Sequence, residues 1–250
     1  ISEESHLVPK PMIELVDTPI LWHIMKSFSF HGFNDFYICC GYKGNVIKDY
    51  FANYYMHRSD ITYDFSNGNK VTIHNNVSEP WKVTVVDTGL ETMTGGRVKR
   101  VQKYIGSETF MLTYGDGLSD INMNTLLDFH HKNGKTATIT AIQPGGRFGA
   151  LDMLDNGIIN RFAEKRKEDG GWINGGYMVI EPRIFAYISG DDSVLEKEPL
   201  ERLASEGELI AYRHSGFWQS MDTLRDKHYL EELITTNAAP WMKWKQEKER

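Results

Sequence analysis

Cysteine is nearly absent from this 250-residue sequence: there are two, Cys39 and Cys40, and they are adjacent. Neighbouring strand residues point to opposite faces, which rules against a disulfide between them. No metal-ligand spacing surrounds them, so they read as buried structural thiols suited to a reducing cytoplasm. Long apolar runs are missing too, and no signal peptide opens at Ile1. The expectation is a cytoplasmic protein with no membrane partner. Basic charge is outnumbered, 28 Lys and Arg against 34 Asp and Glu for a net charge of −6. That balance argues against a nucleic acid as the main partner, although phosphates still bind where a few cations converge with a metal. No internal repeat, low-complexity tract or flexible linker divides the sequence.

What is present is an ordinary globular composition, 40% hydrophobic and 25% charged, enough for a real core. Pro19–His31 has apolar residues at helical spacing, with Gly32 as its stop. Asp35–Cys40 reads as a buried strand and Asn45–His57 as the next helix. Helix, strand, helix at this spacing predicts an α/β fold with a mostly parallel sheet covered on both sides. Ile61–Phe65 and Val71–His74 flank the turn Ser66-Asn67-Gly68-Asn69 and predict a hairpin. Lys82–Val86 is a further strand. Thr94 is placed to cap a helix running to about Tyr104, ahead of a buried strand at Thr109–Tyr114. Asn122–Lys132 predicts a helix ending at Gly134, followed by a strand at Thr136–Ile142. Short strands and glycine turns fill Phe148–Ile180. Helices near Glu198–Ser205 and Thr223–Thr235 close the chain, and the whole reads as one domain, residues 1–250.

Several positions carry candidate chemistry, each with a plainer explanation beside it. Asp116, between Gly115 and Gly117, follows a strand, where open α/β sheets bind ligands and glycines admit a phosphate or metal. A turn aspartate explains the same pattern. Asp222 lies just before the last long helix, where it or Thr223 serves equally as an N-cap. Gly95-Gly96-Arg97 opens a helix whose free N–H groups suit an anion or a base edge; two glycines alone also make an ordinary loop. Lys10 is stiffened between Pro9 and Pro11, or is a solvated surface charge. Glu164 and Lys165 pair an acceptor for hydroxyls with a phosphate cation, and Asn174-Gly175-Gly176 offers an amide and an open backbone. A surface ion pair and a turn account for the same residues. Gly145-Gly146-Arg147-Phe148-Gly149 is a ligand loop or a tight connection.

In this order, the segments PKPMIEL, PILWHIMK, FYICCGYKGNVIKDYFANYY, EPWKVTVVDTG, MTGGRVKR, TYGDGLSDI, GRFGALDM, INGGY and GFWQSMDTLRDK resemble the sugar-1-phosphate nucleotidylyltransferases, most closely their CTP-using branch. They span Lys10 to about Tyr229. The resemblance implies a Rossmann-like, mostly parallel mixed sheet flanked by helices, with a small inserted β region forming a sugar pocket. It implies transfer of a cytidylyl group from CTP to glucose 1-phosphate, giving CDP-glucose for deoxysugars of bacterial surface polysaccharides such as lipopolysaccharide, in a homo-oligomer. The sugar phosphate oxygen attacks the α-phosphorus in line and is already ionised, so no general base is needed. By the same resemblance Asp116 and Asp222 hold Mg2+ and Lys10 contacts the nucleotide phosphates. Thr92, Arg97 and Gly115 lie along the nucleotide. Lys165 contacts the sugar phosphate, and Glu164, Asn174 and Gly175 hold sugar hydroxyls.

The sequence departs from the family twice. The family opens with a strand and a GGxGTR loop around the triphosphate, and Ile1 follows that point, so the expectation is a domain lacking this first strand and loop. The family's Glu-Lys-Pro reads Glu164-Lys165-Arg166 here, which removes the proline that sets the turn and adds a cation. Three rivals stand beside this reading. The first uses UTP or dTTP, or another hexose phosphate; the second is a glycosyltransferase with Asp116 and Asp120 on a metal. The third is a non-catalytic nucleotide-sugar binder.

Overall fold

The structure, a computed structural model, describes residues 8–75, 77–143, 150–153, 159–163 and 171–246. Pro9 and Pro11 frame one 3-10 turn, Lys10–Met12. A small ribbon follows, β1 (Glu14–Leu15) with β2 (Thr18–Pro19). Helix α1 (Ile20–Phe30) is apolar around most of its circumference and is correspondingly buried, from Ile20 through Met25 and at Ser27 and Phe28. Strand β3 (Asp35–Cys40), helix α2 (Gly44–His57) and strand β6 (Lys82–Asp87) form the expected α/β unit, with β3 and β6 parallel. Between them the hairpin β4 (Ile61–Asp64) and β5 (Lys70–Ile73) is antiparallel, as its turn chemistry predicts.

The helix after β6 differs from expectation. Residues Thr94–Arg100 form α3, and Gln102–Ile105 form a separate short α4, the break falling at Val101. Thr94 does not cap α3, because its hydroxyl donates to Glu196 Oε2 at 2.6 Å. Strands β7 (Phe110–Leu112) and β8 (Gly117–Ser119) lead to α5 (Met123–Asn133). Here local signals are accurate: Asn122 accepts from Thr125 N as the N-cap, and Gly134 closes the helix at φ +60°.

Strand β9 (Ala137–Ile142), the antiparallel ribbon β10 (Ala150–Met153) with β11 (Ile159–Ala163), and β12 (Ile173–Ile180) follow. Helix α6 (Glu198–Ser205), β13 (Leu209–His214), β14 (Trp218–Ser220), α7 (Leu224–Thr235) and α8 (Lys243–Gln246) complete the order. The largest sheet runs β13-β9-β12-β7; β13 is parallel to β9, and β12 is antiparallel to both neighbours.

Strand β12 is the hinge of the packing. Its period of two sends Tyr177 and Val179 into a core with Ile13, Phe28, Leu118 and Met221, and Met178 and Ile180 into another with Val98, Ile184 and Leu203. The first core joins the beginning, middle and end of the chain. Among the described residues, no helix is long and apolar enough to cross a membrane.

Candidate active site

Asp116 and Asp222 lie 106 residues apart, and a backbone ladder brings them together. Strand β8 pairs antiparallel with β14, Ser220 opposite Gly117. One residue further, Met221 N donates to Asp116 O at 2.8 Å, which sets Asp222 beside Asp116 at the open end of the ribbon. Two bonds tie the ribbon to β12: Trp218 Nε1 donates to Gly175 O at 2.7 Å, and Tyr177 OH to Gly117 O at 2.8 Å. At the other end Asp120 accepts from Phe217 N at 2.7 Å and contacts His214 Nε2 at 2.9 Å. Asp120 is thereby committed to the ribbon, which removes the carboxylate pair that a glycosyltransferase reading needs. Burial opposes its charge, but the bonds from His214 and Phe217 outweigh that and hold its carboxyl below the usual range.

Lys10 arrives from the opposite end of the chain. A Cβ on Gly115 would lie 2.6 Å from Pro11 Cγ, so only glycine lets the Pro11 ring rest there. That contact delivers the neighbouring Lys10, whose Nζ sits 2.7 Å from Asp116 Oδ2 and 2.7 Å from Asp222 Oδ1. Burial opposes the ammonium, and the two carboxylates overcome it, raising the Lys10 pKa above its ordinary value.

The helix-cap explanation of Asp222 does not hold. Thr223 is the N-cap of α7, accepting from Asp226 N, while the Asp226 side chain accepts from the Thr223 backbone in a full capping box. The Asp222 carboxylate instead accepts from Lys10 and from Ser220 Oγ at 2.7 Å.

Around α3 the picture is mixed. Its first N–H groups are not open to an anion: Gly95 N and Gly96 N both donate to Ser193 O, at 2.8 and 3.2 Å. The two glycines are there because the 191–195 loop packs on them; a Cβ on Gly96 would lie 2.5 Å from Asp191 O. Arg97 donates to Thr88 Oγ1 at 2.7 Å and to Leu90 O at 3.3 Å, bracing the loop after β6. Thr92 is buried in the same loop. Both lie at the C-terminal edge of the parallel β3–β6 pair, where open α/β sheets bind ligands.

On the other side, Asn174 and Gly175 lie on β12, Asn174 exposed and Gly175 buried. Asn174 Oδ1 accepts from Gly176 N at 2.8 Å. Glu164, Lys165, Arg166 and the 145–149 loop lie outside the described residues. Glu196, which no sequence pattern singled out, takes hydrogen bonds from Thr94 and Tyr114 and so touches both halves of the site.

Two carboxylates from distant segments thus converge on one ammonium at the end of a ribbon, beside the parallel β3–β6 pair of an α/β fold. The nucleotidyl transferase family model matches residues 5–219, and the chain belongs to that family. The chain is 53% identical over 245 residues to the glucose-1-phosphate cytidylyltransferase of Salmonella typhi, covering 98% of this chain and 95% of that protein. A Bacillus subtilis relative, called a probable glucose-1-phosphate cytidylyltransferase, is 40% identical over the same shares. The fold is also that of the crystal structure of HddC from Yersinia pseudotuberculosis, with TM-score 0.66 at 19% identity, covering 91% of this chain and 90% of that one.

Proposed function

We propose that the chain acts as a single nucleotidylyltransferase domain that transfers a cytidylyl group from CTP to α-D-glucose 1-phosphate, forming CDP-glucose and pyrophosphate. The observation that carries this reading is the Lys10 ammonium held 2.7 Å from each of Asp116 and Asp222. A binder with no chemistry to perform has no need to gather two carboxylates from distant segments on one cation. The two cytidylyltransferase relatives support CTP and glucose 1-phosphate as the pair of substrates.

The donor set fits magnesium, a hard cation commonly held by one or two carboxylates with substrate phosphates completing its shell. Among the described residues no group of three or more His, Cys, Asp or Glu is gathered to hold a metal alone. Asp116 and Asp222 would hold Mg2+, which when bound neutralises charge on the triphosphate and on the departing pyrophosphate. Lys10 turns its ammonium to the nucleotide phosphates, and Thr92, Arg97 and Gly115 border the nucleotide. Glu164, Asn174 and Gly175 hold sugar hydroxyls, and Lys165 the sugar phosphate. An ionised oxygen of glucose 1-phosphate bonds to the α-phosphorus as the bond to pyrophosphate breaks, and no residue is required to take a proton.

The setting is a cytoplasmic homo-oligomer supplying CDP-glucose for deoxysugars of lipopolysaccharide. Assembly is supported by the β4–β5 hairpin, which pairs with no further strand among the described residues and exposes Tyr63, Phe65 and Val71. A solution mass of one chain would remove that part. The activity itself is tested with glucose 1-phosphate, Mg2+ and CTP, UTP or dTTP in parallel, reading pyrophosphate. Release with CTP above the others is expected. Preference for UTP would change the nucleotide, and no release with any of them would end the proposal.

A further inference from the structure

Among the described residues three asparagines directly precede a glycine: Asn67, Asn133 and Asn174. The fold holds two of them. Asn133 ends α5, where its Nδ2 donates to Phe129 O at 2.7 Å and the following Gly134 N donates to His130 O at 3.0 Å. Asn174 lies in β12 opposite Ala141, and its Oδ1 accepts from Gly176 N at 2.8 Å. At the third pair neither group is engaged. Among the described residues the Asn67 side chain makes no hydrogen bond, and Gly68 N donates to no acceptor.

The turn itself explains this difference. Asp64 Oδ1 accepts from Ser66 N at 3.0 Å, from Ser66 Oγ at 2.6 Å and from Asn67 N at 3.2 Å. Those bonds secure the chain as far as the Asn67 nitrogen and leave the Asn67 amide and the next peptide nitrogen to solvent. Residues 65–75 are exposed, and a Cβ on Gly68, at φ +67°, would meet nothing within 4 Å. With no side chain on glycine, its peptide nitrogen reaches the neighbouring carbonyl carbon unscreened.

We infer that Asn67 is a site of spontaneous covalent modification, deamidation through a cyclic imide formed with Gly68. The Gly68 nitrogen gives its proton to water and bonds to Asn67 Cγ. The Cγ–Nδ2 bond breaks and ammonia leaves. Water then adds to either ring carbonyl and opens one ring C–N bond, giving aspartate or isoaspartate; no oxidant or reductant is involved. The new carboxylate joins Asp64 at the tip of the β4–β5 hairpin, beside the exposed Tyr63 and Phe65. In the isoaspartyl product the main chain also gains a carbon there. Asn174, proposed above to hold a sugar hydroxyl, is spared because its amide is tied into β12. The inference does not depend on that proposed activity.

The test incubates the full chain, folded and in denaturant, at mildly alkaline pH and follows each asparagine by peptide mass mapping, with chromatography separating aspartyl from isoaspartyl peptides. In the folded chain Asn67 should lose its amide almost completely, to a mixture of both products, while Asn133 and Asn174 keep theirs. In denaturant, where the fold protects nothing, all three should convert. Asn67→Gln, which would have to close a larger ring, should hold its amide through the same incubation of the folded chain. An intact Asn67 in the folded chain once the denatured chain has converted would overturn the inference. Equal conversion at all three positions of the folded chain would do so too, and a purely aspartyl product would rule out the cyclic route.

Discussion

Pro11 and Gly115 meet so closely that a methyl group on Gly115 would lie 2.6 Å from Pro11 Cγ. Lys10 is placed by this contact, since it occupies the same 3-10 turn as Pro11. Gly115→Ala should therefore push the turn away and carry the ammonium off both aspartates. Misplacement of that order costs about a hundredfold in turnover, with the far-UV circular dichroism of wild type retained. Turnover within about threefold of wild type would show that Lys10 does not depend on the glycine.

Asp222 and Thr223 are neighbours with opposite duties. Asp222→Asn, and equally Asp116→Asn, should lower kcat on the order of a hundredfold or more while the melting temperature stays near wild type. Thr223→Ala should do the reverse, costing about 1 kcal/mol of stability through the lost cap with kcat largely kept. If the two neighbours gave the same profile, the division of roles would be wrong.

His23 is buried in the first core, between Trp22 and Trp241. Its Nδ1 accepts from Trp241 Nε1 at 3.4 Å, which requires that nitrogen to be unprotonated. Burial is the chief cause that lowers its pKa to about 4, with Lys245 adding to the effect and Asp17 opposing it. Between pH 6.5 and 4 the unfolded chain binds a proton that the folded chain refuses. Stability therefore falls as pH drops through that window, by up to roughly 3 kcal/mol, and levels off below it. Thermal melts should show the slope in wild type and a flatter one in His23→Gln; a wild-type melting temperature constant across the window contradicts this.

Gly96 has almost no room, with Asp191 O 2.5 Å from where a Cβ would sit. Gly96→Ala must displace the 191–195 loop and loosen the bonds from Gly95 and Gly96 to Ser193 O. A loss of about 1–3 kcal/mol is expected in denaturant unfolding. No measurable loss would mean that the loop moves aside freely.

Much of this fold was legible because its signals are local. The apolar run Asp35–Cys40, the Asn122 cap with its Gly134 stop, and the Ser66–Asn69 turn each act within a few residues. The ribbon of β8 with β14 was not legible: Trp218–Ser220 is three residues long, and its partner lies about a hundred positions away. Thr94 illustrates a local signal overridden by tertiary contact. A threonine before two glycines has the form of a helix cap, but Glu196, distant in sequence, takes its hydroxyl. Glu196 itself carries no periodicity, motif or turn signature. The glycines at 95 and 96 make room for a loop and do not open the helix end to an anion, a distinction that only the packing of residues 191–195 reveals.

The Lys10–Asp116–Asp222 cluster draws on the first, middle and last thirds of the chain. On the ribosome the charged centre therefore cannot exist until more than 220 residues have been made, and it closes only after the widest loops in the molecule have done so. Loop closure of that span is slow relative to helix and hairpin formation. A chain released early, or clipped ahead of β14, would lack one of the two carboxylates. Assembly of this charged cluster is in this sense a late event in the life of each molecule, and it waits on synthesis through Asp222.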